Sequence, residues 1–235
     1  STLPGTSAVI EGTVGAKGST GVDSVTYVID LSGSTAYPNQ MDCNGDGVAN
    51  DKDDFNGDSS VGDVLDCEIA SVISLNKSLQ QAYGNGIKVS MVAFGSSAEV
   101  VDLNGATFVT PGAMDAQGRN VVEHAARNLV SGTAMEYTEK YVGGGTNFDS
   151  ALQTTLGSLP ASGDRWVFMM SDGQSSVSAS TLQQLKASGH NARTFGVGDG
   201  SSCVGPLTDI ASSTGQSCVE VKDPTKLAVY GQELN

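Results

Sequence analysis

A chain of 235 residues is long enough to bury one sizeable core, and 38% hydrophobic with 16% charged residues is the make-up of a globular domain. The 26 Asp and Glu against 12 Lys and Arg leave a formal charge of −14. That field repels nucleic acid and anionic membrane and argues against either as a partner. No run of about twenty apolar residues occurs, so no membrane insertion is expected. The chain opens without a charged-then-apolar leader, so any export signal is expected outside this stretch.

Residues 1–23 are rich in Gly, Ser and Thr, with a weak alternation at Ala8, Val9 and Ile10. They read as a linker or an added edge strand, and residues 24–235 as one domain. From residue 25 a β-branched and aromatic run predicts a buried strand, ending in Asp30-Leu31-Ser32-Gly33-Ser34. A carboxylate and two hydroxyls at alternate positions, on a turn loosened by Gly33, can converge their oxygens. Such hard donors suit Mg²⁺, Mn²⁺ or Ca²⁺.

Residues 37–66 then carry Asp42-x-Asn44-x-Asp46-Gly47-x-x-Asn50-x-x-Asp53. Read as a calcium loop, Asp42, Asn44 and Asp46 stand at positions 1, 3 and 5. Gly47 makes the sharp turn, Val48 offers its carbonyl, and Asn50 acts through water. Asp53 replaces the usual closing Glu of an EF-hand. The string resembles the calcium loop of a dockerin. A second, degenerate copy follows in Asp54, Asn56, Asp58 and Ser60, with Asp63 or Asp66 closing it and Ser59 where the Gly would stand. Four cysteines fall into two local pairs, Cys43 with Cys67 and Cys203 with Cys218. This predicts two disulfides and an oxidising compartment, the alternative being four buried thiols in a cytosolic protein. Cys43–Cys67 would staple the insert across its base.

Apolar spacing predicts a helix over residues 67–83, closed by Gly84-Asn85-Gly86. Strands follow at residues 87–94 and, after the turn Gly95-Ser96-Ser97, at 98–103, the latter as one antiparallel edge. Asn120 to Leu129 has helical spacing, and the Asp115 turn carries too few carboxylates for a cation. A loop, Gly143-Gly144-Gly145-Thr146-Asn147-Phe148-Asp149, precedes a helix over 149–159. The strand at 165–171 again ends in Asp-Gly, at Asp172-Gly173. Helices at 181–187, 207–213 and 227–234 alternate with strands at 192–197 and 217–221. This alternation predicts an α/β fold with a doubly wound, mostly parallel sheet covered on both faces. Such sheets bind ligands beyond the carboxyl ends of their strands, where Asp30 and Asp172 sit.

The strand-end motif at Asp30, the Gly-rich Thr146 loop and the Asp172 strand end, in that order, resemble the von Willebrand factor type A domain with its metal-ion-dependent adhesion site. A compact member of that family would pass directly from the Asp30 loop into its first helix, without residues 37–66. The resemblance implies a Mg²⁺, Mn²⁺ or Ca²⁺ ion held by Asp30, Ser32, Ser34, Thr146 and Asp172, with one position left for an acidic ligand group. It further implies a ligand rim of Tyr37, Asn147, Phe148, Gln174 and Ser175.

The expected role is an extracellular adhesion module of a longer secreted protein, a bacterial surface adhesin. Its partner would be a protein or glycan with an acidic group, on another cell or the matrix. The rival within binding proteins is a calcium-stiffened spacer. An enzyme is not expected: no G-x-S-x-G, H-E-x-x-H or phosphate-loop ending is present, and His124 and His190 stand apart in sequence. Metal-assisted phosphoester hydrolysis would need a general base that the sequence does not offer.

Overall fold

The computed structural model describes residues 21–37, 39–132, 142–160, 162–173, 175–198, 203 and 205–234. The short strand expected at residues 8–10 lies outside them. Six strands, β1 (Val22–Asp30), β2 (Lys88–Phe94), β3 (Ala98–Val100), β4 (Asp164–Ser171), β5 (Asn191–Val197) and β6 (Cys218–Val221), form a sheet in the order β3-β2-β1-β4-β5-β6. Every pairing is parallel except that of β3 with β2. The expected α/β sheet with one antiparallel edge is therefore present, although β3 stops at Val100.

Alternate residues of the central strands serve opposite faces. Tyr27, Ile29, Phe168 and Met170 pack in one core with Leu65, Val72 and Leu75 of α1 (Val64–Tyr83). Val28, Val167 and Met169 pack in the other with α3 (Phe148–Ser158), α4 (Ala179–Ala187) and α5 (Pro206–Ser213). The remaining α-helices are α2 (Val121–Arg127) and α6 (Ala228–Gln232). Among the described residues no helix is long and apolar enough to cross a membrane.

Helix α1 begins three residues before its expected start. Asp63 caps it by accepting the Asp66 N–H, while the Asp66 carboxylate accepts the Asp63 N–H. The apolar spacing extends back to Leu65, but Asp63 and Asp66 read in the sequence as calcium ligands of the insert rather than as a helix cap and first turn. Both expected disulfides are present, with Cα atoms 4.7 Å apart in Cys43–Cys67 and 5.6 Å apart in Cys203–Cys218. Bonds of this kind persist in oxidising compartments.

From β1 the chain proceeds to β2 on one side, whereas β4, β5 and β6 build outward on the other. The direction of winding switches between β1 and β4, and their adjacent carboxyl ends carry Asp30 and Ser171. An open sheet offers its ligand crevice at such a point.

Candidate metal-binding face

Asp30 ends β1 fully buried, and its carboxylate is held on both oxygens. Oδ1 accepts the Ser32 N–H at 2.8 Å and Oδ2 the Ser171 hydroxyl at 2.5 Å. The following turn brings the Ser32 and Ser34 Oγ atoms to 3.0 Å from each other. Octahedral Mg²⁺ at its usual bond length sets neighbouring oxygens about 3 Å apart, so the two hydroxyls fit adjacent positions around such an ion. Ser131 Oγ and Thr35 Oγ1 both donate to the Ser32 carbonyl, at 2.7 and 2.8 Å, and fix the turn.

The Gly-rich loop docks against this turn. Gly33 N–H donates to the Gly144 carbonyl at 2.8 Å, and Asn147 N–H to the Gly95 carbonyl at 2.9 Å. A Cβ at Gly95 would stand 2.0 Å from the Gly143 carbonyl oxygen, so this approach requires glycine. The loop carries half-buried Thr146 to the same edge, where Ser175 Oγ holds the Thr146 carbonyl at 2.7 Å. Asp149 accepts the N–H and Oγ of Ser178 at 3.0 and 2.9 Å and so ties α3 to the start of α4.

Sequence reasoning missed Glu68. It is fully buried in α1, its Oε2 accepts the Asp30 N–H at 3.0 Å, and its Oε1 has no hydrogen-bond partner among the described residues. The signal was present: Leu65, Glu68, Val72, Leu75 and Leu79 form one helical stripe, and Glu68 is its one charged member. Burial pushes the Asp30 carboxyl up to about 7 against its bonds from Ser171 and Ser32, and the Asp172 charge adds to the rise. Burial raises Glu68 well above the carboxylate range, with Asp30 and Asp172 adding to it. Asp30 and Glu68, both fully buried, thus repel each other beside the half-buried Asp172, which favours protons or a cation there. Of the five residues read from sequence, two are carboxylates; Glu68 adds a third carboxyl behind them.

In the insert, hydrogen bonds follow the loop spacing closely. Asp42 accepts the N–H groups of Gly45, Asp46 and Gly47 at 2.7–3.1 Å, Asn44 that of Asp46, and Asp46 that of Val48. Asp53 is buried and accepts from Cys43, Asn44 and Asn50, each at 2.9 Å. Asn50 caps the short 3₁₀ turn Asp51–Asp53, and its Nδ2 donates to the Val48 carbonyl at 2.7 Å. Beside this loop and the end of β6 lies an open cleft of about 740 Å³ lined by residues including Asp42, Glu220, Lys222 and Asp223.

Of the expected rim, Tyr37 is 68% exposed, Asn147 is exposed, and Ser175 lies beside Thr146. Gln174 falls outside the described residues. Phe148 must be corrected: it is fully buried and packs edge-on against Phe94, ring centroids 5.8 Å apart, as the first apolar anchor of α3. Among the described residues no three carboxylate, imidazole or thiol side chains gather into a ready-made metal cage. The Asp30 site is instead a hydroxyl-rich one, and Asp42, Asp46, Asp53, Asp54, Asp58 and Asp66 of the insert accept backbone N–H groups.

Solved structures share this architecture. A von Willebrand factor type A protein from Catenulispora acidiphila superposes with a TM-score of 0.56 at 19% identity, covering 91% of this chain, which spans 42% of that one. The conserved hypothetical protein BatB from Bacteroides thetaiotaomicron gives 0.58 at 14% identity, covering 90% of this chain and 97% of its own. The SpRpn10 VWA domain gives 0.53 at 12% identity, covering 91% and 99%. No protein-family model and no curated protein matches the sequence. The likeness is one of fold, and the fold is that of von Willebrand factor type A domains.

Proposed function

We propose that this domain is a metal-dependent binding module of an extracellular protein, in which an acidic group of the ligand completes the coordination of a divalent cation. The observation that carries this reading is the pair of Ser32 and Ser34 oxygens, 3.0 Å apart beside Asp30 at the switch point of the sheet. Mg²⁺, Mn²⁺ or Ca²⁺ bound there would supply an electrophilic charge for a carboxylate or acidic glycan. Ser32, Ser34 and Thr146 would hold the ion through hydroxyls, and Asp30 and Asp172 would balance it. Neutral donors at three of five positions leave a cation more attractive to an anionic ligand than a carboxylate cage would. Asp42, Asn44, Asp46, the Val48 carbonyl, Asn50 and Asp53 would hold Ca²⁺ in the insert, ordering the side of the rim that carries Tyr37. The partner class is a protein or glycan on another cell or the matrix, bound without chemical change. A bacterial adhesin role is part of this proposal.

The test is capture of immobilised acidic glycans and matrix proteins in Mg²⁺, repeated with EDTA and with Asp172→Ala. Capture lost in both supports the reading, and affinity that survives both overturns it. Intact calcium binding with no metal-dependent capture would instead leave the spacer reading.

A further inference from the structure

We propose that residues 54–66 are a second calcium site, closed by the first turn of α1, and that filling it fixes Glu68 behind the Asp30 loop. The bonding of the first loop recurs twelve residues on. Asp54 accepts from Gly57, Asp58 and Ser59 at 2.7–3.1 Å, Asn56 from Asp58, and Asp58 from Ser60. Asp66, not Asp63, takes the place of Asp53. It accepts the Phe55 N–H at 2.6 Å and those of Gly62 and Asp63 at 3.0 and 3.3 Å. Asp63 thus corresponds to Asn50, each capping the helical turn that follows.

That correspondence carries the inference. Asn50 is neutral, and its amide is spent on a carbonyl within its own loop. Asp63 is fully buried, and its Oδ2 has no partner among the described residues. A buried carboxylate oxygen without a donor is costly unless a cation reaches it. Asp54, Asn56, Asp58, the Ser60 carbonyl, Asp63 and Asp66 are oxygen donors of the kind that Ca²⁺ takes, and an ion would have to draw them together, since they form no ready-made cage. Asp63 and Asp66 are also the cap and first turn of α1, and Glu68, two residues on, accepts the Asp30 N–H. An ion that locks this turn therefore locks Glu68 against the Asp30 loop. This coupling rests on the metal reading of the Asp30 site; the calcium site does not.

The experiment counts calcium ions bound by the intact domain, using native mass spectrometry and calorimetry, in wild type, Asp42→Asn, Asp54→Asn and Asp58→Asn. Each substitution in the second loop is expected to remove one ion, independently of the one lost in Asp42→Asn. Unchanged counts in both Asp54→Asn and Asp58→Asn overturn the second site. No loss in Asp42→Asn would count against the first loop alone. The Mn²⁺ affinity of the Asp30 site, measured in calcium-saturated protein with Asp172→Ala as control, is expected to weaken about fivefold or more in Asp54→Asn, a typical coupling. Glu68→Gln should weaken it likewise while keeping the calcium count. Loss of an ion with unchanged Mn²⁺ affinity overturns the coupling. Absence of Mn²⁺ binding in wild type would fault the Asp30 reading and leave the calcium count to judge the second site.

Discussion

In the first loop of the insert, Gly45, Asp46, Gly47 and Val48 stand in solvent, while Asp53, the disulfide and the Asn44 amide nitrogen reach the interior. The second loop repeats the same bonds but lies on the domain. Asn56 Nδ2 donates to the Leu129 carbonyl at 3.1 Å, Arg127 Nη1 to the Phe55 carbonyl at 3.2 Å, and the Arg127 guanidinium sits over the Phe55 ring. The closing carboxylate is buried in both loops, but in the second the capping residue, Asp63, is a buried carboxylate as well. Burial pushes Asp63 up to about 8 and Asp66 up to about 7, backbone N–H donors opposing the rise and neighbouring carboxylates adding to it. Similar local geometry thus meets different electrostatic costs. A dozen residues can set their own turn, but what the turn lies against decides whether its charge needs a partner.

The largest expected effect separating the loops is pH dependence without metal. Asp30, Asp63 and Asp66 titrate near 7 to 8 when folded, against about 4 in an unfolded chain. Between those values the folded state holds more protons than the unfolded one, so stability falls as pH rises and levels off above the folded values. Melting of EDTA-treated protein should therefore decline from pH 5 to 9. Hydrogen exchange should show the second loop and the start of α1 opening before the first loop. Calcium should flatten the decline, since the cation replaces the protons; at a hundred times its dissociation constant each ion adds about 2.7 kcal/mol. A melting temperature in EDTA that rises over this range would contradict the assignment of buried acids.

Next in size is the staple. Replacing Cys43 and Cys67 together by Ser should cost about 3 kcal/mol, from the freed loop of 24 residues' separation. Calcium affinity should suffer more in the first loop, which Cys43 anchors, than in the second, which α1 and Arg127 hold. Equal losses, measured by calorimetry, would show that the loops are not independently supported.

The smallest and sharpest contrast is the sixth position. Gly47 has φ 91° and Ser59 φ 74°, both in the left-handed region. A Cβ at Gly47 would meet nothing within 4 Å, so Gly47→Ala should destabilise for conformational reasons alone. Ser59→Gly should stabilise by a similar amount, about 1 kcal/mol in each case. Urea unfolding in saturating calcium measures both. The same sign for the two substitutions would mean that the positions are not equivalent.

Much of this molecule is written in short-range spacing. The period-2 and helical patterns, the Asp30, Thr146 and Asp172 motifs and the carboxylates of the insert all lie close enough along the chain to predict local conformation. Both disulfides were legible for the same reason, since their separations are 24 and 15 residues. Tertiary structure decided what lies against these motifs. Glu68 meets Asp30 across 38 residues because α1 packs against β1, and Ser171 meets it across 141 because β1 and β4 became neighbours at the switch of the sheet. Phe148 left the rim because the start of α3 turned it toward Phe94. Asp66 rather than Asp63 accepts the Phe55 and Gly62 N–H groups that close the second loop, a choice made where α1 starts. Hydrogen-bond reach along a chain follows from covalent separation, whereas burial, and with it the charge a carboxylate can bear, follows from packing.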